Sequence, residues 1–465
     1  MIDFEGARAL VMGLGRFGGG VGAVRYLVER GAEVTVTDLS AANEIAGPAA
    51  VVRELGVRAV FGEHRASDFE GLDLLVVNPA VPPDTPLVAH ARDHGARITS
   101  AIELFLDAVP ARVACVTGTQ GKSSTCHILA QLLEGTGNRV HLGGNFGGSL
   151  LERLGREADE GGIAEGDFVV LELSSYQLEA LAAPPPGRDR VEVVAVTNVL
   201  ADHLERHGSV QAYGAAKRRI LELLNEDGSA ILPEEGAGAV DWNPARGRRI
   251  GRGSREGGAV LSRDDENFRL EDELLGRIAD VRLPGAFQLD NVLTALGMAR
   301  CLGVAGDQLV RALPRVAGLE HRLELLPPVA GRLVHDNGVS TTPDSTLTAL
   351  ESLPAGIVLL CGGRMKRLSY DELFAAAARR GDRVVCFGEA GAELCRGFER
   401  AGAEAIDGGD LATATARALD LTSPGSALLF SPACTSFDGF SNFKDRALAF
   451  RAALGATAPA MARVR

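Results

Sequence analysis

The chain has 465 residues, a formal net charge of -13 and 46% hydrophobic residues. That length exceeds one ordinary core and predicts two or three domains. The acidic balance disfavours a general nucleic-acid role, and no apolar run approaches the roughly 20 residues that a bilayer span takes. Seven scattered cysteines without a C-x-x-C pair read as reduced thiols of a cytoplasmic protein, with no zinc spacing. Only four of the 48 basic residues are lysine: Lys122, Lys217, Lys366 and Lys444. Arginine serves as the general surface cation, so these positions ask what a guanidinium could not do.

Residues 8–38 read as strand, glycine turn, helix, strand. Gly13, Gly15 and Gly18 fit G-x-G-x-x-G, and Asp38 follows after the second strand. The pattern describes a diphosphate-type site, with Asp38 suited to a ribose or base edge; NAD and UDP-sugars both carry that diphosphate. A glycine turn needed only for packing is the bland alternative. Residues 72–79 add a buried strand. A second start follows at residue 112: strand, then Gly118-Thr119-Gln120-Gly121-Lys122-Ser123-Ser124, then helix. Val116 stands where a full P-loop has its first glycine, so the loop is a shortened G-T-x-G-K-[ST]. Its N–H groups would cradle phosphate, with Lys122 on the terminal phosphates and Ser123 or Ser124 near magnesium.

Residues 167–174 and 191–199 read as parallel core strands, and 228–283 as hairpins attached to the core. A third α/β pattern begins near residue 318. The expectation is an α/β protein of three domains: a Rossmann-like UDP-binding domain (1–97), a P-loop ATPase-like domain (98–317) and a Rossmann-like domain (318–465).

The second loop resembles that of the Mur ligase family, with Gln120 for the usual Asn. The rest of the chain follows the family's order: Gly144-Asn145, Glu172 in LELSSYQLE, NVLADHLERH (198–207), Lys217 in AYGAAKRRI, GLEHRLE (318–324) and SPACTSFDGFSNF (431–443). The resemblance covers nearly the whole chain and is nearest to the glutamate-adding members. It implies an ATP-dependent amide ligase that adds glutamate, D or L, to UDP-N-acetylmuramoyl-L-alanine through an acyl phosphate in peptidoglycan synthesis. It also implies ATP and two magnesium ions as cofactors, a carbamylated Lys217, and a cytoplasmic monomer without nucleic-acid or membrane partners.

By the same resemblance, Lys122, Lys217, His203 and Glu172 are the catalytic set. Ser123, Glu172, His203 and carbamylated Lys217 would hold metal. Gly118 through Ser124, Asn291, Arg322 and Asp336 would bind ATP, although Arg322 and Asp336 could equally form structural ion pairs. Gly15, Arg16, Phe17, Asp38, Asn78 and Asn145 would hold the UDP substrate. Lys366, Ser436, Phe443 and Ser340 would hold glutamate. Phe437, Phe440 and Phe443 are expected in the core with an edge toward substrate, and His207 and His321 as orienting groups. For Lys217, a solvated helix charge is the bland alternative.

The chain departs from the family most at residues 336–341, where D-S-K-A-T-N becomes Asp336-Asn337-Gly338-Val339-Ser340-Thr341. The motif's lysine is missing at Gly338, while Arg364 and Arg367 add cations. Two other readings stand beside the ligase: an NAD-dependent dehydrogenase using the N-terminal turn, and another Mur or folylpolyglutamate-type ligase.

Overall fold

A computed structural model describes residues 4–15, 19–82, 84–233, 237–253 and 259–462. Its contacts divide the chain into two units, Met1–Val281 with Asn291–Val316, and Arg282–Asp290 with Ala317–Arg465.

The first unit holds two sheets. One has five parallel strands in the order Arg58–Phe61, Glu33–Asp38, Arg8–Met12, Leu74–Val77, Arg97–Thr99. Every residue of Leu74–Val77 is buried, as expected for a strand covered on both faces. The chain leaves Arg8–Met12 toward one edge and returns on its other side. The carboxyl end of that strand is therefore a topological switch point, where open α/β sheets bind ligands.

The second sheet has nine strands, in the order Glu273–Arg277, Asn267–Leu270, Ala259–Arg263, Arg248–Arg252, Ser229–Leu232, Val191–Val196, Arg112–Thr117, Phe168–Glu172, Val140–Gly144. Arg112–Thr117 lies between Phe168–Glu172 and Val191–Val196, parallel to both. A second switch point thus falls on the shortened P-loop. One hydrophobic core runs through both sheets, joining Val11 and Leu27 to Phe105, Val113 and Leu171.

Residues 228–283 correct the expectation of attached hairpins. Ser229–Leu232, Arg248–Arg252 and Ala259–Arg263 pair in parallel and extend the central sheet; the antiparallel pairs come only with the last two strands. Gly297 of the Ala286–Cys301 helix packs so closely on Leu261 and Ile231 that a Cβ there would stand 2.6 Å from Leu261. Glycine, arginine and charged residues break this stretch into short runs, which in sequence look like hairpins.

The second unit has six strands in the order Glu324–Val329, Arg332–Asp336, Ala427–Ala433, Val358–Gly362, Arg383–Phe387, Glu404–Asp407. All pairs are parallel except the first. Helices Pro343–Glu351, Asp371–Arg380 and Gly391–Ala401 pack on one face; Leu411–Leu421 and Phe443–Ala462 pack on the other. Among the described residues, no helix is long and apolar enough to cross a membrane.

Candidate active site

The buried strand Arg112–Thr117 ends in a loop that only glycine could form. Gly118 has φ +145° and Gly121 φ +81°. A Cβ on Gly118 would lie 1.8 Å from Thr197 Oγ1, and one on Gly121 would lie 2.2 Å from Asn291 Oδ1. Thr197 and Asn291 are thus the walls of the loop. The next strand's end pins it: Asn198 O accepts from Thr119 N and Asn198 Oδ1 from Gln120 N, both at 2.9 Å. Leu200 N donates to Thr119 Oγ1 at 3.0 Å. Gly121 caps the Lys122–Glu134 helix without a side chain, so the first-turn N–H groups receive no side-chain cap. That end of a helix suits an anion. Ser123 and Ser124, in its first turn, are buried.

Two lysines meet at this loop. Lys122 Nζ donates to Gly118 O and Thr119 O, both at 2.9 Å. Lys217, from the Val210–Arg218 helix, donates to the same Gly118 O at 2.8 Å. Lys217 is 1% exposed, and its amine lies 4.3 Å from the centre of the Tyr213 ring. The solvated-charge alternative is therefore excluded. Burial, and then the charge on Lys122, push its pKa down to about 7, against the opposing pull of Asp202 and Glu172. Near neutral pH this amine therefore gives up its proton far more readily than a solvated lysine does.

Glu172 ends the neighbouring strand and is 2% exposed. Its Oε1 accepts from Asn145 Nδ2 at 2.7 Å, and its main-chain carbonyl accepts from Asn145 N at 2.8 Å. Gly144, at φ +92°, permits this approach, since a Cβ there would lie 2.3 Å from Glu172 O. Glu172 Oε2 is buried and has no hydrogen-bond partner among the described residues. A buried carboxylate oxygen left so is costly unless a cation meets it, and a hard oxygen donor fits magnesium.

His203, in the left-handed region at φ 50°, is half-exposed, with Nδ1 3.4 Å from the Tyr176 hydroxyl. His207 lies deeper. Its Nε2 is 3.1 Å from Ser175 Oγ, and burial lowers its pKa, which suits an orienting group. Sequence reasoning missed Thr197 and Tyr213, and also Arg206, which pairs with Glu179 at 2.9 Å and reaches the carbonyls of Ala80 and Val81. Arg206 lies inside the NVLADHLERH motif and Tyr213 inside AYGAAKRRI; Thr197 directly precedes the former.

At the first glycine turn, Gly13 (φ +87°) and Gly15 (φ +67°) face Asn78, whose Cβ would lie 2.8 Å from a Cβ on Gly13. Asn78 Nδ2 donates to Gly13 O at 3.3 Å. Asp38 accepts from Leu14 N and Ser40 N, each at 2.8 Å, so its carboxylate shapes the turn itself. Arg16 and Phe17 lie outside the described residues.

In the second unit, Lys366 Nζ is 3.3 Å from Thr341 Oγ1. Ser340 and Ser436 are both 3% exposed, and Ser340 O accepts from Ala433 N at 3.1 Å. These residues gather at the carboxyl ends of neighbouring strands. The aromatic expectation needs correction: Phe437 is 63% exposed and Phe443 38%, so neither is core, while Phe440 packs against the core. Phe443 opens the last helix, and Phe437 lies in the loop before it. Arg364 is paired with Glu389 at 2.9 Å. Gly338 has no room for the missing lysine, because a Cβ there would stand 2.6 Å from the Cβ of Ala447.

Arg446 is a residue that the sequence did not single out. It is fully buried, and its Nη1 donates to Cys434 O and Thr435 O, both at 3.0 Å, and to Gly362 O at 3.4 Å. It thereby ties the loop that carries Lys366 to the loop that carries Ser436. For Asp336, the structural alternative is realised in part: it is bound by His321 and Arg451, each at 2.7 Å.

Three family profiles match the chain: "Mur ligase MurD-like, N-terminal domain" over residues 7–100, "Mur ligase middle domain" over 116–299, and "Mur ligase, glutamate ligase domain" over 321–434. The chain is 35% identical over 472 residues to a UDP-N-acetylmuramoylalanine–D-glutamate ligase of Roseiflexus sp., covering 97% of this chain and 98% of the relative. It is 32% identical over 460 residues to the protein of that name from Acidobacterium capsulatum, covering 97% and 96%. Among solved structures it is similar to the UDP-N-acetylmuramate-alanine ligase MurC of Thermotoga maritima, with TM-score 0.55, 18% identity, and coverage of 97% of this chain and 100% of the other. A MurF structure from Acinetobacter baumannii gives TM-score 0.56 at 17% identity, covering 84% and 92%. The dehydrogenase alternative finds no support in these matches.

Proposed function

The chain belongs to the Mur ligase family, and from that premise we propose that it joins D-glutamate to UDP-N-acetylmuramoyl-L-alanine at the expense of ATP. The two curated relatives described above are named for that reaction. The observation that carries the reading is the pair of lysines on Gly118 O, one of them buried and partly neutral, beside a buried carboxylate with an unsatisfied oxygen.

A carboxylate is a poor electrophile. Transfer of the terminal phosphoryl group from ATP to the alanyl carboxylate releases ADP and leaves an acyl phosphate. The amine of glutamate then attacks the acyl carbon, expelling phosphate and losing a proton. Because the first transfer sets anion against anion, placed cations and orientation carry it. Lys122 and the first-turn N–H groups of its helix suit the ATP phosphates. Asn291 closes the far wall of the loop.

Glu172, Ser123 and His203 would hold magnesium, which supplies charge neutralisation of the phosphates when bound. The neutral amine of Lys217 can add carbon dioxide, forming an N–C bond and releasing one proton. The resulting carbamate is an anionic oxygen donor, which an ammonium is not, and arginine could not form it. Gly15, Asp38, Asn78 and Asn145 would receive the UDP substrate; Lys366, Ser340, Ser436 and the exposed edge of Phe443 would receive glutamate. Arg322 and Asp336 would act on the ATP side. The reading includes a monomer working in the cytoplasm.

The test supplies UDP-N-acetylmuramoyl-L-alanine, ATP, magnesium and either glutamate enantiomer, and follows phosphate release and product mass. Release with D-glutamate is expected. Release with neither enantiomer refutes the ligase reading, and release with L-glutamate alone refutes the stereochemical part.

A further inference from the structure

The second unit contains a charged cluster in which Asp336 is joined by Arg451 and Glu324, two residues that the proposed chemistry does not use. Asp336 is fully buried; its Oδ2 accepts from His321 Nδ1 and from Arg451 Nε, and its Oδ1 accepts from Gly338 N at 3.0 Å. Arg451 also donates through Nη2 to Glu324 Oε2. Glu324 Oε2 in turn accepts from His321 N at 2.9 Å. One ligand atom from each of His321, Glu324 and Asp336 lies within 4.8 Å of the others, a spacing suited to a metal ion. The guanidinium of Arg451 already sits among those atoms and supplies the positive charge. Glu324 and Asp336 are like charges brought to one point, and the guanidinium between them offsets their repulsion.

The arrangement follows from the last helix. Ala447 and Arg451 are four residues apart on Phe443–Ala462 and share a face. Ala447 rests against Gly338 so closely that no side chain fits there. The helix can lie on this strand end only because position 338 is glycine, the position where the family motif has lysine. The same approach brings Arg451 onto Asp336.

The segment it holds is strained. His321 at φ 62° and Leu323 at φ 51° hold the left-handed conformation, which is unfavourable for residues other than glycine. Cross-ties from Leu323 N to Asn337 Oδ1 (3.1 Å) and from Val339 N to His321 O (3.2 Å) maintain it. With Nδ1 on Asp336, the ring of His321 keeps Nε2 buried and without a partner among the described residues. An imidazole fixed at one nitrogen and unsatisfied at the other is oriented for use.

We propose that Arg451 is a positioning residue: it is the resident cation that holds Asp336 and His321 in their working arrangement, delivered by the last helix in place of the lysine absent at position 338. This rests on the ligase reading above, in which Asp336 serves the ATP side.

The experiment compares the full chain with its Arg451→Ala and Arg451→Lys variants. Steady-state ligation is measured with ATP and glutamate varied separately, and zinc binding is titrated without substrates. Arg451→Ala should lose roughly 10- to 100-fold in kcat, the usual effect of removing a group that orients a functional side chain, with the glutamate KM unchanged. Arg451→Lys should recover part of the loss. With its cation removed, the Arg451→Ala cluster should gain a zinc site that the unaltered chain lacks, and Asp336→Asn added to that variant should abolish it. A helix merely loosened would raise the glutamate KM, because Arg446 on the same helix braces the loops of Lys366 and Ser436. Unchanged kcat, a raised glutamate KM at constant kcat, or no gained zinc site would each overturn the proposal. An unaltered chain without ligase activity refutes the ligase reading instead, and the zinc titration then still judges the cluster.

Discussion

Replacing Lys217 by methionine should make the protein more stable and inactive at once. The side chain keeps its length and apolar stem, but removes an amine that folding must take out of water. Lys217 falls from the ordinary lysine value of 10.5 to about 7, chiefly through burial. That shift corresponds to about 5 kcal/mol between the two protonation states. Because the folded value lies below the unfolded one, the unfolded chain binds the extra proton between these values. The penalty is therefore present in full below pH 7 and is relieved as pH rises toward 10.5.

The methionine variant should accordingly exceed the parent by up to about 5 kcal/mol at pH 6, falling to about 2 kcal/mol at pH 9, with all other titrating groups common to both. Gly118 O would still accept from Lys122, so no buried carbonyl is abandoned. The assay is urea denaturation at the two pH values in buffer freed of carbon dioxide, so that the amine stays unmodified. A stability difference that is absent, or that does not shrink between pH 6 and pH 9, refutes the claim that Lys217 is held desolvated at the loop.

Glu172→Gln keeps the hydrogen bond from Asn145 possible but removes the charge facing the unsatisfied position; kcat should fall roughly a hundredfold and the magnesium requirement should rise, as read from metal-titrated turnover. Gly121→Ala places a Cβ against Asn291 at φ +81°, so it should lose about 1–3 kcal/mol of stability in a melt and weaken nucleotide binding in a direct titration. Arg446→Met removes the nitrogen, Nη1, on which the carbonyls of Gly362, Cys434 and Thr435 converge; the glutamate KM should rise while the ATP KM holds, measured by varying each substrate alone.

What could be read without coordinates is what glycine spacing, apolar runs and rare residues encode locally. The two glycine turns, the helix opening at Lys122 and the three α/β stretches are short-range features, set by backbone freedom and by strand–helix alternation. The scarcity of lysine marks Lys122 and Lys217 from composition alone. Only the folded chain decided that both would donate to a single carbonyl, because strand order brings together segments 95 residues apart in sequence. The same holds for Thr197 behind Gly118, for Arg446 across two loops, and for Arg451 on Asp336: each is an ordinary residue in its local sequence, given its role by a contact made over long range. The exposed Phe437 and Phe443, and the parallel strands within 228–283, escaped the sequence for the reverse reason. Hydrophobicity and alternation describe a side chain's preference, whereas the packing of the neighbouring helix decides whether that preference is met.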